Sequence, residues 1–234
     1  MQSTTRGAVV SALVATVLVP VGCASDVERK ELPIESDFSD ACDWNQDDDE
    51  DIFLGCEEGA YHARFKRTDK RIQHVIPRRL DTPAESMRVE SDLTLAKYEG
   101  GGDDFELQAI GCLSSGFREP VQGYLFGVST EVHGIAILKV DETDESLKNS
   151  FYFRALVDEE SRAVAGARER MRIEGECRPE GDAVLLTMSI DGQEVADARD
   201  PAGFAPYDAA ALVVLSTKSG TEMVYDNVRI KEAG

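Results

Sequence analysis

The sequence predicts an all-β protein, a sandwich of two antiparallel sheets. Three observations carry that reading. Short segments alternate apolar and polar residues with a period of two, Met87–Leu95 being the cleanest. Turn-forming residues recur between them, with Asp191-Gly192 a strong hairpin signal and Ser219-Gly220 another turn. No long segment holds a helical period. The stretch Val121–Val140, VQGYLFGVSTEVHGIAILKV, anchors the pattern. It reads as two apolar strands, Tyr124–Ser129 and Ile135–Val140, reversing at a turn that ends in Gly134. Runs this apolar belong in the middle of a sheet.

The first residues are set apart from the fold. Met1–Gly7 carries one charged side chain, Arg6, and Ala8–Val21, AVVSALVATVLVPV, is apolar but short of the roughly 20 residues a bilayer span needs. Small residues follow around a cysteine, Gly22-Cys23-Ala24-Ser25. This arrangement is that of a secretory signal peptide and resembles the lipobox of bacterial lipoproteins. Pro20 departs from it, standing where Leu is usual. The resemblance implies cleavage after Gly22, lipidation of Cys23 and anchoring to the outer face of the cell membrane, with two or three acyl chains giving a stable hold. The alternative is an ordinary signal peptide cut nearby. Expected boundaries are therefore a leader at 1–22, a polar tether at 23–36 and one sandwich domain at 37–234. A domain of that length can bury roughly 70% of its unfolded surface. The net charge of −20 loses only Arg6 on cleavage, so the surface stays strongly acidic and repels nucleic acid and anionic headgroups.

Within the domain, Asp43–Asp51 is an acidic loop between Cys42 and Cys56. Asp43, Asn45 and Asp47 can be aligned to a calcium loop, but Asp48 stands where the turn needs glycine and Leu54 where a bidentate Glu belongs. A solvated loop is the expected reading, with calcium on a loop of another type left open. Gly59–Phe65 and Ile72–Ile76 alternate as strands. Glu99–Asp104, EGGGDD, is a turn, and Phe105–Leu113 leads into the central hairpin. Asp141–Ser146 is a polar loop, Phe151–Val157 a strand, and Ala163–Arg170 a helical turn or a loop. Met171–Cys177, Ala183–Ile190, Gln193–Ala198, Ala210–Ser216 and Met223–Ile230 complete the strands.

Setting Cys23 aside leaves Cys42, Cys56, Cys112 and Cys177, an even number in an exported chain and so two disulfides. Three connectivities are open. Cys42–Cys56 with Cys112–Cys177 is favoured, the shorter loop contributing about 3 kcal/mol and the longer about 4 by chain entropy. Zinc is excluded by the lack of any C-x-x-C and of ligand spacing at His62, His74 and His133.

Phe38-Ser39-Asp40 with Trp44 and the Gly59-x-Tyr61 strand, the hairpin with Tyr124, Phe126 and Gly134, the turn Ser189-Ile190-Asp191-Gly192 and the closing Val224-Tyr225-Asp226-Asn227-Val228-Arg229-Ile230 together resemble concanavalin A-like lectin/glucanase domains, a jelly-roll sandwich. The likeness covers most of residues 37–232. It implies that Cys112 and Cys177 tie neighbouring strands and that Asp226 is a structural hydrogen-bond acceptor. It says little of function, because such folds carry lectins, hydrolases and inert modules alike.

Catalytic signatures are weak. Glycosidases on this sandwich carry paired carboxylates on one strand, about 5 Å apart for a retaining mechanism. The nearest match, Glu142-Thr143-Asp144-Glu145, has its last Glu too early and reads as loop, while Glu194-Val195-Ala196-Asp197 has the wrong spacing. Gly111–Gly116 misplaces the serine of a nucleophile elbow, Lys218-Ser219-Gly220 lacks a partner S-x-x-K, and Gly100–Gly102 opens no helix. Sugar binding needs an aromatic platform beside carboxylate or amide acceptors. Tyr61 and Tyr124 are assigned to the core, Tyr207 is available, and Trp44 in its acidic loop is the best exposed candidate. The expectation is a non-catalytic binding module for glycan or an envelope protein. A carbohydrate hydrolase on the same sandwich and a purely structural envelope protein are the competing classes.

Overall fold

The computed structural model describes residues 31–39, 42–67, 72–97, 106–114, 120–129, 134–150, 152–160, 170–216 and 219–234. The expected leader, Cys23 and the turn at 99–104 lie outside the described residues, as does nearly all of the segment 163–170. Fifteen strands run in chain order: β1 Ile34–Ser36, β2 Asp47–Asp48, β3 Ile52–Glu57, β4 Ala60–Phe65, β5 Ile72–Ala84, β6 Met87–Lys97, β7 Glu106–Leu113, β8 Gln122–Ser129, β9 Gly134–Asp141, β10 Phe153–Glu160, β11 Arg170–Glu180, β12 Ala183–Ile190, β13 Gln193–Asp200, β14 Tyr207–Ser216 and β15 Glu222–Lys231. A 3-10 helix, Glu145–Ser150, precedes β10. None of the described helices is long and apolar enough to cross a membrane.

The strands form two antiparallel sheets. The larger has nine, in the order β13-β12-β11-β6-β15-β4-β3-β2, with β1 pairing along β15 beside β4. The smaller has six, in the order β10-β9-β8-β7-β14-β5. Because side chains alternate across a strand, each sheet lends one face to a shared core. Ile110, Tyr124, Phe126, Ile137, Leu212 and Val214 come from the small sheet, and Tyr61, Val89, Leu93, Ile173, Leu186 and Tyr225 from the large one. Tyr225 illustrates how a buried polar tip is satisfied: its hydroxyl donates to the Val213 carbonyl at 2.6 Å, across the sandwich.

Both favoured disulfides are formed. Cys42–Cys56 closes the acidic loop. Cys112 lies on β7 and Cys177 on β11, so the second bridge joins the two sheets through the core rather than neighbouring strands of one sheet. A second cross-link is polar. Asp200, at the end of β13, accepts hydrogen bonds at Oδ2 from Lys139 Nζ (2.7 Å) and the Tyr124 hydroxyl (2.9 Å), both from the small sheet. The Tyr124 oxygen in turn accepts the Phe204 N–H at 3.0 Å.

Several boundaries move. The first strand among the described residues starts at Ile34, three residues before the expected domain start, because Ile34 inserts into the core while Ile34–Ser36 pair with Val228–Ile230. β5 runs on to Ala84 through Pro77 and Pro83, which its place at the sheet edge tolerates, since one side of an edge strand needs no ladder donors. β3 is a strand the alternation did not mark. Ile52 and Leu54 face the core, but Phe53 between them is apolar as well.

Candidate functional site

The outer face of the large sheet is where charge and exposure coincide. β6 presents Arg88, Glu90 and Asp92 outwards, the polar half of its alternation. Pairing sets β11 on one side, with Arg172 opposite Asp92, Glu174 opposite Glu90 and Glu176 opposite Arg88. On the other side β15 sets Asp226 opposite Asp92 and, after an irregularity, Arg229 opposite Glu90. Asn227 sits at that irregularity with φ of +48° and donates its amide to Asp92 Oδ2 at 2.9 Å. Asparagine adopts this left-handed backbone more readily than most residues.

The acids on this face are tied to cations. One Arg170 nitrogen, Nη2, reaches Asp92 at 2.7 Å and Asp226 at 2.9 Å, and the Arg170 side chain is 53% exposed. Glu90, only 6% exposed at its side chain, accepts from Arg172 and Lys231, each at 2.5 Å. Burial alone would raise the Glu90 pKa, but these two hydrogen bonds outweigh it and the carboxyl is held below its usual range.

The same face continues onto β3 and β4. The Arg64 guanidinium lies 5.0 Å over the Phe53 ring, pairs with Glu57 and donates Nε–H to Glu222 at 2.6 Å. His62 Nδ1 meets the same Glu222 oxygen at 2.8 Å. Glu222 is pushed up by burial and down further by Arg64 and His62, so it too is lowered. Among the described residues, every carboxyl whose pKa is displaced is displaced downwards. A general acid for glycoside hydrolysis needs the opposite displacement.

Trp44 is buried rather than exposed in the acidic loop. It is 3% exposed, packed against Phe38 and Tyr61, with its indole N–H donating to Ser36 Oγ at 3.2 Å. The disulfide and the ion pair of Asp43 with the fully buried Arg78, at 2.7 Å, draw this part of the acidic loop onto the core. The ring therefore presents no open platform. Asp43, first of the aligned calcium ligands, is engaged by that arginine, and no group of three or more His, Cys, Asp or Glu among the described residues is placed to hold a metal ion. Tyr61 and Tyr124 are in the core as expected. Glu142 and Thr143 form a turn, and Asp144 accepts the Ser146 N–H at the start of the 3-10 helix, so that acidic motif is structural.

Glu90-Ser91-Asp92 places two acids at i and i+2 on one strand and one face, a pair the sequence does not distinguish from any polar side of a strand. It lies in the cleanest alternating segment of the chain, where a period of two marks only a solvent-facing side. Nothing local announces the arginines that meet it, since Arg170 and Arg172 arrive from a strand some eighty residues on.

No family model matches the chain, and no curated protein matches it. Solved structures do. A carbohydrate-binding module, CBM66, from Bacillus subtilis is 14% identical, with 81% of this chain and 95% of that one covered at a TM-score of 0.54. An endo-1,3-β-glucanase from Streptomyces sioyaensis is 13% identical, with coverage of 84% and 94% at 0.56. A Bacillus subtilis protein of unknown function with a galectin-like fold is 9% identical, with coverage of 85% and 94% at 0.55. Identities this low speak for architecture, and the architecture of this chain is the concanavalin A-like jelly-roll sandwich.

Proposed function

We propose that this protein is an exported lipoprotein, anchored through Cys23, whose sandwich is a non-catalytic carbohydrate-binding module using the outer face of the large sheet. The observation that carries the reading is Arg170 bridging Asp92 and Asp226 beside Asn227. Sugar hydroxyls both donate and accept, so they suit a surface where fixed donors and acceptors alternate within a few ångströms. The exposed Arg170 guanidinium and the half-buried carboxylates of Asp92 and Asp226 do so here. The aromatic component would come from Phe53, beside Arg64, rather than from Trp44. Two disulfides fit an oxidising compartment, and the acidic surface leaves membrane attachment to the lipid.

One observation favours a hydrolase instead, the two acids of Glu90-Ser91-Asp92 on one strand. The lowered pKa of Glu90 and its double cation pairing weigh against it as a proton donor.

The test is a binding screen of residues 26–234 against glycans and cell-wall polymers, with and without calcium, alongside an assay for released sugar. Saturable binding that Arg170→Ala and Asp226→Asn each weaken at least about tenfold, roughly 1.4 kcal/mol, is the expected result. Binding to no glycan sinks the carbohydrate reading, and sugar release abolished by Glu90→Gln replaces it with the hydrolase. Loss of membrane association in Cys23→Ala checks the anchor separately.

A further inference from the structure

The paired ions on the outer face of the large sheet do not lie at one level. At their side chains Arg170, Arg178, Arg229 and Lys231 are between 43% and 53% exposed, whereas Glu90, Asp92 and Glu176 are between 6% and 16%. Arg88, Arg172, Glu174 and Asp226 fall between the two groups. Side-chain length explains the layering. Arginine and lysine lay long apolar stems along the sheet and carry their charge over the shorter carboxylates. Glu35 of β1, on the far side of β15, is the exposed acid that Arg229 meets at 3.5 Å.

The acids of the lower layer already have their donors. Glu90 accepts from Arg172 and Lys231, Glu176 from two nitrogens of Arg88, and Asp92 from Arg170 and Asn227. The upper layer has donors to spare. Arginine carries five N–H groups, and Arg170 meets both of its acids through Nη2 alone. Its Nε and Nη1 donors therefore find no acceptor among the described residues. Arg178 meets Glu176 only at 3.9 Å, beyond hydrogen-bond range. A molecule arriving from solvent touches N–H groups before it touches a carboxylate.

Strand pairing draws these cations into a path. Arg172 shares a row with Asp92 and Asp226, Arg229 with Glu174 and Glu90, and Lys231 with Arg88 and Glu176. Arg170 and Arg178, at either end of the same side of β11, extend the path by one row each. Rows two residues apart are about 7 Å from one another, so the path runs for about 27 Å. That length suits a chain of sugars better than a single ring. Bonds from guanidinium to an oxyanion are roughly twice as strong as those to a neutral hydroxyl.

The acidic net charge of the chain does not oppose such a ligand here. Cations and acids nearly balance on β6, β11 and β15, so the excess lies elsewhere. Exposed charges further off than about 10 Å are largely screened at about 0.1 M salt. A bilayer or a duplex meets the whole acidic surface, whereas one polysaccharide strand lies within this face.

We infer that the ligand of this face is an acidic polysaccharide, whose repeated carboxylates or sulfates are held by Arg170, Arg172, Arg178, Arg229 and Lys231. The inference rests on the carbohydrate reading and narrows it to glycans that carry oxyanions.

The test measures binding by the full chain with Cys23→Ala, in the presence of a calcium chelator. Polygalacturonate and alginate are compared with their esterified forms, and dextran sulfate with dextran, so that carboxylate and sulfate are told apart. At least one acidic polymer should bind about tenfold or more tightly than its uncharged counterpart. Arg178→Glu, which lies outside the Arg170 cluster, should weaken that binding at least about fivefold with the unfolding midpoint retained. Equal binding to charged and uncharged forms, or binding to neutral glycans alone, overturns the inference and leaves the carbohydrate reading standing. Binding of acidic polymers only when the chelator is omitted overturns it too, since calcium would then bridge acid to acid. Unchanged affinity in Arg178→Glu removes the cationic path, and binding to no glycan removes both readings.

Discussion

Phe126 of the small sheet lays its ring directly on the backbone of Gly175 in the large one, so closely that a Cβ at Gly175 would stand 2.2 Å from Phe126 Cδ2. Gly175→Ala therefore has to push the sheets apart or move a fully buried ring. Overpacking of this kind costs about 1–3 kcal/mol. At this chain length each kcal/mol lowers the Tm by roughly 2–4 °C, which a thermal scan resolves. Pairing the change with Phe126→Leu should return part of the loss, and no recovery would mean the strain lies elsewhere.

The two disulfides should differ in weight. Cys112–Cys177 closes 65 residues and Cys42–Cys56 closes 14. Chain entropy assigns about 4 kcal/mol to the first and about 3 to the second. Removing each pair by double Cys→Ala substitution and comparing denaturant midpoints should show the larger fall for the bridge between sheets. An equal or reversed order would place the stabilisation in local packing.

Lys139 and Asp200 form a buried pair across the sandwich, their side chains 11% and 8% exposed. Lys139→Met leaves the carboxylate with the Tyr124 hydroxyl and the Ala202 N–H but no cation. Breaking a buried pair from one side costs about 3–5 kcal/mol. The double variant Lys139→Met with Asp200→Leu should be more stable than Lys139→Met alone, because no orphaned charge remains.

Glu90, Glu222 and Asp200 are all lowered, in each case because hydrogen bonds from cations and neighbouring donors outweigh the burial that raises them. The unfolded chain then binds more protons than the folded one in the acid range. Their contribution is complete above the ordinary carboxylate pKa of about 4 and is lost as pH falls through the folded values. Unfolding free energy measured from pH 6 down to pH 2 should decline, and Glu90→Gln should flatten that decline while lowering stability at pH 6.

Trp44 is the only tryptophan in the sequence and is buried. Its emission should be that of an apolar site, shift to the red on unfolding and stay unmoved by glycan. Trp44→Ala should cost about 3–5 kcal/mol and act on binding only through that loss. A ligand-dependent shift in the folded protein would return the acidic loop to the binding surface.

How far the chain could be read follows from what each residue meets. Met87–Leu95 and Ala183–Ile190 announced themselves because one face is buried and the other wet. β7 did not show where its faces go, since Leu107 and Ile110 are buried on opposite sides of one sheet. Trp44 misled because its sequence neighbours are acids, and the Arg78 that receives one of them lies 35 residues away. The charged face was legible as polar and no more, for its pairs form between strands distant in sequence, where no local pattern records them.

The way β1 enters the sheet decides how the domain would bear a load. Only three residues, Ile34–Ser36, zip against β15 before the chain leaves for Cys42. Tension arriving through residue 31 would peel that short seam first and lengthen the leash, leaving the rest of the sandwich at rest. The sulfur bridge from Cys42 to Cys56 is then a covalent stop, beyond which pulling is passed to β3 in the body of the sheet. A sandwich hung this way has a built-in slack of a few residues and a hard limit behind it, a fuse and then a chain link.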